Sequence, residues 1–298
     1  MKTLVIIFLL LSQCLLSADQ KTVQVEFENY SSTSKNYDTT RIPLGIEIIK
    51  NQLASLPGGI GAVRLLDCGC GSGNYLMPLA NLVGQAYGID LNPGMLSKAQ
   101  QKVGFRNNIH LQQGSLFNLP YPNDSFDGLT LNQVLHHLDS IDTAKAHSNT
   151  RLFIKEAARV LRSDGLIIIN GSTHEQWRDG FWFYSLLPEA RDKLIARHIG
   201  LPELEAMLIE EGFSIKEVII PVQEVLQGDD YFNPAEVLQK HVRDGDSTWG
   251  MASEEERSTA LHTIAEMVKQ GTLEQFFQQR DALRKIIGQT MFVVAQKN

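Results

Sequence analysis

Residues 65–73 read Leu65-Leu66-Asp67-Cys68-Gly69-Cys70-Gly71-Ser72-Gly73. An apolar run from Val63 to Leu66, interrupted by Arg64, ends in an aspartate and three alternating glycines. Helical spacing resumes over Tyr75–Leu82, with Pro78 in its first turns, so the stretch reads as strand, tight turn and helix. Without Cβ atoms the turn lets a ligand approach the backbone, and N–H groups at the helix start offer donors to a carboxylate or phosphate. Seventeen residues past Gly73, Asp90 lies at the end of a second run, Gln85–Leu91. A carboxylate there can accept both hydroxyl hydrogens of a ribose. Loop and acid together specify a nucleoside ligand. A dinucleotide fingerprint G-x-G-x-x-G counted from Gly69 needs glycine at position 74, where this chain has Asn74.

Outward from this unit the alternation continues. Asn92-Pro93 supplies a cap and first-turn proline for a helix with Met95, Leu96, Ala99 and Val103 on one face. Strands are expected at Ile109–Gln113, Phe126–Leu131 and, after Asp164-Gly165, at Leu166–Asn170, with a helix over Leu152–Leu161. A helix over Pro202–Glu211 stops at Gly212, and Phe213–Val222 and Thr290–Ala295 read as antiparallel neighbours at one sheet edge. The pattern is α/β: a Rossmann-like, doubly wound, mostly parallel seven-stranded sheet with an antiparallel last strand and a helical insertion. The domain plan is residues 19–62 as an N-terminal lid and helix, 63–222 with 288–298 as the nucleoside-binding domain, and 223–287 as a helical insertion or cap. A structureless loop of that length would be improbable inside a compact domain.

The 298 residues carry 27 basic and 34 acidic side chains, a net charge of -7, so the chain lacks the basic footprint of a nucleic-acid binder. Three cysteines, Cys14, Cys68 and Cys70, make no disulfide framework, and no Cys/His metal spacing occurs. Cys68 and Cys70 read as small packing residues. At the N-terminus, Met1-Lys2, an apolar run Leu4–Leu16 and Ser17-Ala18 follow the order of a secretory signal peptide, with Leu16 an imperfect residue three places before the cut. The run is too short to span a bilayer. A secretory route is expected for residues 1–18, with an uncleaved anchor or a cytoplasmic chain as alternatives.

The segment Leu65–Gly73 with Asp90 behind it resembles the first two motifs of class I S-adenosylmethionine-dependent methyltransferases. Gly114–Asp127 (GSLFNLPYPNDSFD) is similar to that family's adenine-side loop, and Leu131–Leu138 (LNQVLHHL) to its fourth-strand exit. The resemblance covers residues 30 to 222 and the last strand. It implies a Rossmann-like fold and S-adenosylmethionine as cofactor. By this analogy Asp67, Gly69, Gly71 and Gly73 hold the methionine portion, Asp90 the ribose, Leu91 the adenine face, and Ser115-Leu116 the adenine edge. The family often has an acid where Ser115 stands; Asn118 or backbone could substitute. Tyr30 and Tyr37-Asp38 resemble the family's lid, with Tyr37 over the cofactor, and Asn132 would lie beside the transferred methyl.

Methyl transfer from a sulfonium is an in-line displacement with an activated leaving group, and alignment alone can supply up to about 7 to 11 kcal/mol of the barrier reduction. His137 or His136 could take a proton from an oxygen or nitrogen acceptor, adding roughly 10²- to 10⁴-fold; paired histidines after a strand can equally just bond backbone. His174, Trp177, Phe181, Trp182, Phe183 and Tyr184 form an aromatic cluster beyond the fifth strand. His174, Trp177, Trp182 and Tyr184 are taken as an acceptor pocket, the competing reading being that the cluster packs the insert onto the sheet. The acceptor is expected to be a small molecule, and carbon, oxygen, nitrogen and sulfur nucleophiles all remain open. The rival reading is a secreted or lumenal nucleoside-binding protein of the same fold without turnover, motivated by the leader. A nicotinamide oxidoreductase suffers from Asn74. No metal, nucleic-acid partner or stable membrane span is expected. N-terminal sequencing of natively expressed protein should find a chain starting near Asp19; an intact Met1-Lys2 start on soluble cytosolic protein would overturn the leader assignment.

Overall fold

The computed structural model describes residues 42–139 and 147–298. The expected leader, residues 1–18, and the expected lid residues Tyr30, Tyr37 and Asp38 lie outside the described residues.

Seven strands form one sheet: β1 (Arg64–Cys68), β2 (Gln85–Asp90), β3 (Ile109–Gln113), β4 (Phe126–Asn132), β5 (Leu161–Gly171), β6 (Phe213–Ile219) and β7 (Met291–Lys297). Their order is β3-β2-β1-β4-β5-β7-β6. Pairing is parallel from β3 to β5, and β7 runs antiparallel to both β5 and β6. The sheet is thus mostly parallel with an antiparallel last strand, as the sequence pattern predicts. The chain winds from β1 outward through β2 to β3, then returns to place β4 on the other side of β1. This reversal opens a crevice beyond the carboxyl ends of β1 and β4, where ligands of open α/β sheets bind.

Central strands are buried on both faces, so alternate side chains feed two cores. Leu65 packs with Ile49 and Leu53 of α1 (Ile46–Ala54) and with Leu76 and Leu79 of α2 (Leu76–Ala80), a face that α3 (Pro93–Val103) closes through Val103. Its neighbour Leu66 points the other way, into a core with Phe153, Ile154, Ala157 and Val160 of the long helix before β5. After β4 the chain makes a single helical turn, α4 (Leu135–Leu138), and that long helix is α5 (Ser148–Val160). α5 starts four residues before the expected Leu152, because its polar first turn is buried: Asn149 Nδ2 donates to the Leu138 carbonyl and Thr150 Oγ1 to Asp139 Oδ2. β5 likewise begins at Leu161 rather than Leu166, through a register irregularity against β4 in which Asp164 has φ of 65°.

A third core joins the insert to residues that the sequence plan placed in the sheet domain. Helices α6 (His174–Asp179) and α7 (Pro188–Arg197) contribute Trp177, Ala190 and Leu194 to it, whereas α8 (Leu201–Glu210) returns to the sheet. From the insert come α9 (Lys240–Arg243), α10 (Ser247–Met251), α11 (Glu254–Gln270) and α12 (Leu273–Ile287), with Trp249, Ile264 and Phe277 buried in the same core. The cap is therefore built from two chain segments. No helix among the described residues is long and apolar enough to cross a membrane.

The insert is pinned by a buried pair. Asp281 and Arg284 on α12 are 2% and 3% exposed, and Arg284 Nη1 donates to the Val222 carbonyl where β6 leads into the insert. Burial pushes the Asp281 carboxyl up, but Arg284, with help from Lys285, holds it net below the usual carboxylate range. Removing one partner of such a pair strands a buried charge and costs about 3 to 5 kcal/mol. Arg284→Met should therefore lose about 3 kcal/mol in urea unfolding, the low end because Lys285 Nζ also reaches Asp281. Arg284→Met combined with Asp281→Asn should recover part of the loss; equal losses in the single and double variants would contradict this account.

Candidate active site

The glycine loop is shaped by its neighbours on both sides. Gly69 has φ of 70°, and a Cβ there would come within 2.7 Å of Val134 just past β4. Gly71 has φ of 53°, a left-handed conformation that costs a side-chain-bearing residue energy. The N–H groups of Gly69 and Cys70 both donate to the Ile89 carbonyl, at 2.8 and 3.0 Å, which lashes the loop to β2. Gly71 N–H then donates to Asp90 Oδ2 and Asn92 N–H to Asp90 Oδ1, each at 2.8 Å. Asn92 caps α3 as its sequence position predicts, its Oδ1 accepting from Gly94 and Met95. Asp90 thus holds the loop and the α3 start together. Each carboxylate oxygen has two lone pairs, so both keep an acceptor position for a ribose hydroxyl.

Asp67, level with Thr130 across the β1–β4 ladder, is 1% exposed. Its Oδ1 accepts from Thr130 Oγ1 at 2.8 Å and Asn132 Nδ2 at 3.1 Å. Its Oδ2 has no partner among the described residues. Burial pushes the carboxyl up to about 6, against the opposing pull of Thr130 and Asn132, with the Asp90 charge adding to the rise. The Asp90 carboxyl is also raised by burial, with the N–H groups of Asn92, Gly71 and Leu91 working against the rise. A buried carboxylate oxygen without a donor calls for one from a ligand, and an ammonium group fits best.

A cleft of about 400 Å³ opens over these residues. Asp67, Gly69, Gly71, Asp90, Leu91, Asn132 and His137 line it, all named from the sequence. Leu91, 45% exposed, offers an apolar face beside Asp90. The remaining expected residues, among those described, stand back from the cleft. Gly73 has φ of 84° and lies over Ala99 of α3, supporting the loop from behind. Ser115 and Leu116 follow β3 without bordering the cleft; Ser115 Oγ accepts from Phe117 N–H and Leu116 packs on the sheet core. His136 is buried with its ring 3.9 Å from that of His137 and edge-on to Trp177. Of the two histidines, only His137 borders the cleft.

The aromatic cluster expected to wall the acceptor lies apart from this cleft. His174, Trp177, Trp182 and Tyr184 do not line the cleft. Trp177, Phe181 and Tyr184 stack within 13° of parallel inside the cap core, Tyr184 OH donates to the buried Asp246 carboxylate, and Trp182 packs on Phe277. The His174 ring is engaged by the His198 carbonyl through Nε2. Such large apolar surfaces are most stable buried against each other, and here the insert supplies the partners. The cleft is walled by Tyr75, Val134, Ile42, Pro43, Met95 and Leu226, none of them expected from the sequence as a site residue. Gln133, also at the cleft, has φ of 56°, a strain of order 1 to 3 kcal/mol for a non-glycine residue. Its Nε2 donates to Asn170 Oδ1 and Thr290 Oγ1, partners 37 and 157 residues away, which no local pattern announces.

A family model described as a methyltransferase domain matches residues 66–169, from the glycine-loop strand to near the end of β5. The chain is 31% identical over 178 residues to a demethylmenaquinone methyltransferase of Lactobacillus johnsonii, covering 52% of this chain and 68% of that protein. It belongs to the class I S-adenosylmethionine-dependent methyltransferase family. The uncharacterized methyltransferase YcgJ of Bacillus subtilis is 29% identical over 160 residues, and the chain spans 58% of its length. Over the fold, a crystal structure from Anabaena variabilis, provisionally described as a methyltransferase from an antibiotic biosynthesis pathway, superimposes with a TM-score of 0.68 at 21% identity. It covers 87% of this chain and 99% of the other. Class I methyltransferases take S-adenosylmethionine, and the donor set here fits it: an orphaned buried carboxylate oxygen for the ammonium, a two-oxygen acid for the ribose and an apolar surface for the adenine.

Holding Asp67 ready has a cost in stability. Its folded value of about 6 lies above the ordinary carboxyl value of 3.8, so its contribution is fully present below 3.8 and lost as pH rises through 6. The difference corresponds to about 3 kcal/mol in the ligand-free protein. Measured by urea unfolding, Asp67→Asn should gain on the parent by up to that amount between pH 4 and pH 7. Parallel profiles for the two proteins would contradict the assignment.

Proposed function

We propose that this chain transfers the methyl group of S-adenosylmethionine to a small-molecule acceptor carrying a flat apolar ring. The observation that carries the reading is the pair of acids at the ends of adjacent strands, the orphaned Asp67 and the two-handed Asp90, with the glycine loop between them. When bound, S-adenosylmethionine supplies an activated methyl on a sulfonium. Asp67, fixed by Thr130 and Asn132, takes the ammonium end; Asp90 takes the ribose hydroxyls; Leu91 meets the adenine. Asn132, bonded to Asp67 on one side and open to the cleft on the other, aligns the reacting end. His137 is the cleft side chain able to receive a proton from an oxygen or nitrogen acceptor. The ring class is supported by the apolar wall of Ile42, Pro43, Val134 and Leu226, and by relatives named for demethylmenaquinone. The composition of residues 1–18 supports secretory targeting, and with it the rival reading of a nucleoside-binding protein without turnover.

Calorimetry with S-adenosylhomocysteine, S-adenosylmethionine and NAD decides the cofactor: the first two should bind and NAD should not. Asp90→Ala removes two charge-assisted bonds to the ribose, so affinity for S-adenosylhomocysteine should fall by roughly 10²- to 10³-fold, about 3 to 4 kcal/mol. It also strips the acceptors from Gly71 and Asn92 N–H, so some loop order is lost with it. Asp90→Asn keeps one acceptor and should lose less. Binding of S-adenosylhomocysteine by folded Asp90→Ala within threefold of the parent would remove the nucleoside from this position.

A further inference from the structure

Across the sheet the cleft is graded. Asp90 ends β2, Asp67 lies in β1, and Asn132 ends β4. A ligand with its nucleoside at β2 and its amino-acid end at β1 points its free side toward β4 and β5, three strand spacings or roughly 14 Å from Asp90. That far side is closed by two short segments from distant parts of the chain. Residues 42–45 lead into α1 and residues 222–228 lead into the insert. Ile42 and Pro43 from the first and Leu226 from the second all line the cleft.

The two segments are tied to each other and to the sheet. Gly45 N–H, at the start of α1, donates to Glu224 Oε2 at 2.7 Å, a carboxylate at a helix N-terminus where the dipole favours it. Gly45 lies so close to Phe292 of β7 that a Cβ would come within 2.1 Å of the ring, and Ile42 covers Gly228, where a Cβ would come within 2.6 Å of it. Leu44 is buried in the cap core while its N–H donates to Tyr75 OH, and Tyr75 OH also accepts from Asn170 Nδ2 at the end of β5. Behind Leu226, its own N–H donates to the buried Gln289 side chain at 2.8 Å. Yet Ile42 itself remains 54% exposed at the rim. Rigid backbone beneath an exposed apolar side chain facing a cleft is the construction of a recognition wall rather than of a core.

We infer that Ile42, Pro43 and Leu226 form the wall that selects the acceptor, a flat apolar ring, and that Glu224 is the positioning residue holding the two halves of that wall in register. The inference rests on the methyl-transfer reading above, because it takes the β2–β1 side of the cleft as occupied by the cofactor. Acceptor choice in this chain is then made by the junction between insert and N-terminal segment, while the glycine loop serves the cofactor.

The test uses the full chain saturated with S-adenosylhomocysteine and titrated with 1-naphthol, a flat apolar ring bearing one hydroxyl. The parent should bind it saturably, with Kd of about 1 mM or tighter for a probe of this size. Glu224→Ala should weaken 1-naphthol about tenfold while leaving the Kd for S-adenosylhomocysteine within threefold. Glu224→Gln, whose amide oxygen still accepts from Gly45 N–H, should restore most of the loss. Leu226→Ala should weaken 1-naphthol by a similar factor. Proportional loss of both ligands in Glu224→Ala, the outcome of general loosening, overturns the inference, as does an unchanged affinity for 1-naphthol. A parent that binds S-adenosylhomocysteine but not 1-naphthol overturns the ring class. A parent that binds neither fails the cofactor reading itself, and the inference falls with it.

Discussion

The Asp67 carboxylate, buried with one oxygen bonded and the other bare, is the constraint around which the rest of this molecule is arranged. A lone buried carboxylate is expensive, and a fold keeps one only where neighbours or a ligand repay it. Here β1 places the acid in the centre of the sheet, and β4 brings Thr130 and Asn132 to one of its oxygens. The other oxygen is buried with no partner among the described residues, and Asp67 itself lines the crevice formed where the winding reverses. The glycine loop follows from the same demand. A chain leaving β1 above such a crevice has to turn without side chains, because Val134 already fills the space a Cβ at Gly69 would take.

The second acid has a different economy. Asp90 is satisfied by two backbone N–H groups before any ligand arrives, so it shapes the loop and the α3 start as well as offering acceptors to a ribose. Structure and recognition cannot be separated at this residue. At Asp67 they can, since its Oδ2 bonds to nothing among the described residues. The cap completes the site by an indirect route: its aromatic core holds Leu44 and Leu226, and these carry the far wall of the cleft.

What could be read from the sequence follows the range of the interactions involved. The strands β1 to β4, the loop, Asp90 and the Asn92 cap are announced within a few residues by periodicity, glycine spacing and capping chemistry, whereas the roles expected of Asp67 and Asn132 come from the family resemblance. The early start of α5 escaped because its buried polar turn depends on the Leu138 carbonyl and Asp139. The aromatic residues from Trp177 to Tyr184 are visible as a cluster, but a sequence does not say which way rings face; their partners Trp249 and Phe277 lie far along the chain. The walls made by Ile42, Pro43 and Leu226, and the strained turn at Gln133, exist only through contacts between distant segments, and nothing local marks them.

The central claim, that the bare oxygen of Asp67 awaits a cationic ligand group, is tested most directly by counting protons. In ligand-free protein the carboxyl titrates near 6, so at that pH about half of the molecules carry a proton there. Binding a ligand with an ammonium group requires the ionised form and expels that proton. Calorimetric titration with S-adenosylhomocysteine at pH 6, in buffers of different ionisation enthalpy, should show release of about half a proton per ligand, declining to none by pH 8 and absent in Asp67→Asn. Release that is the same in Asp67→Asn and the parent, or no release at pH 6 despite tight binding, would contradict the account.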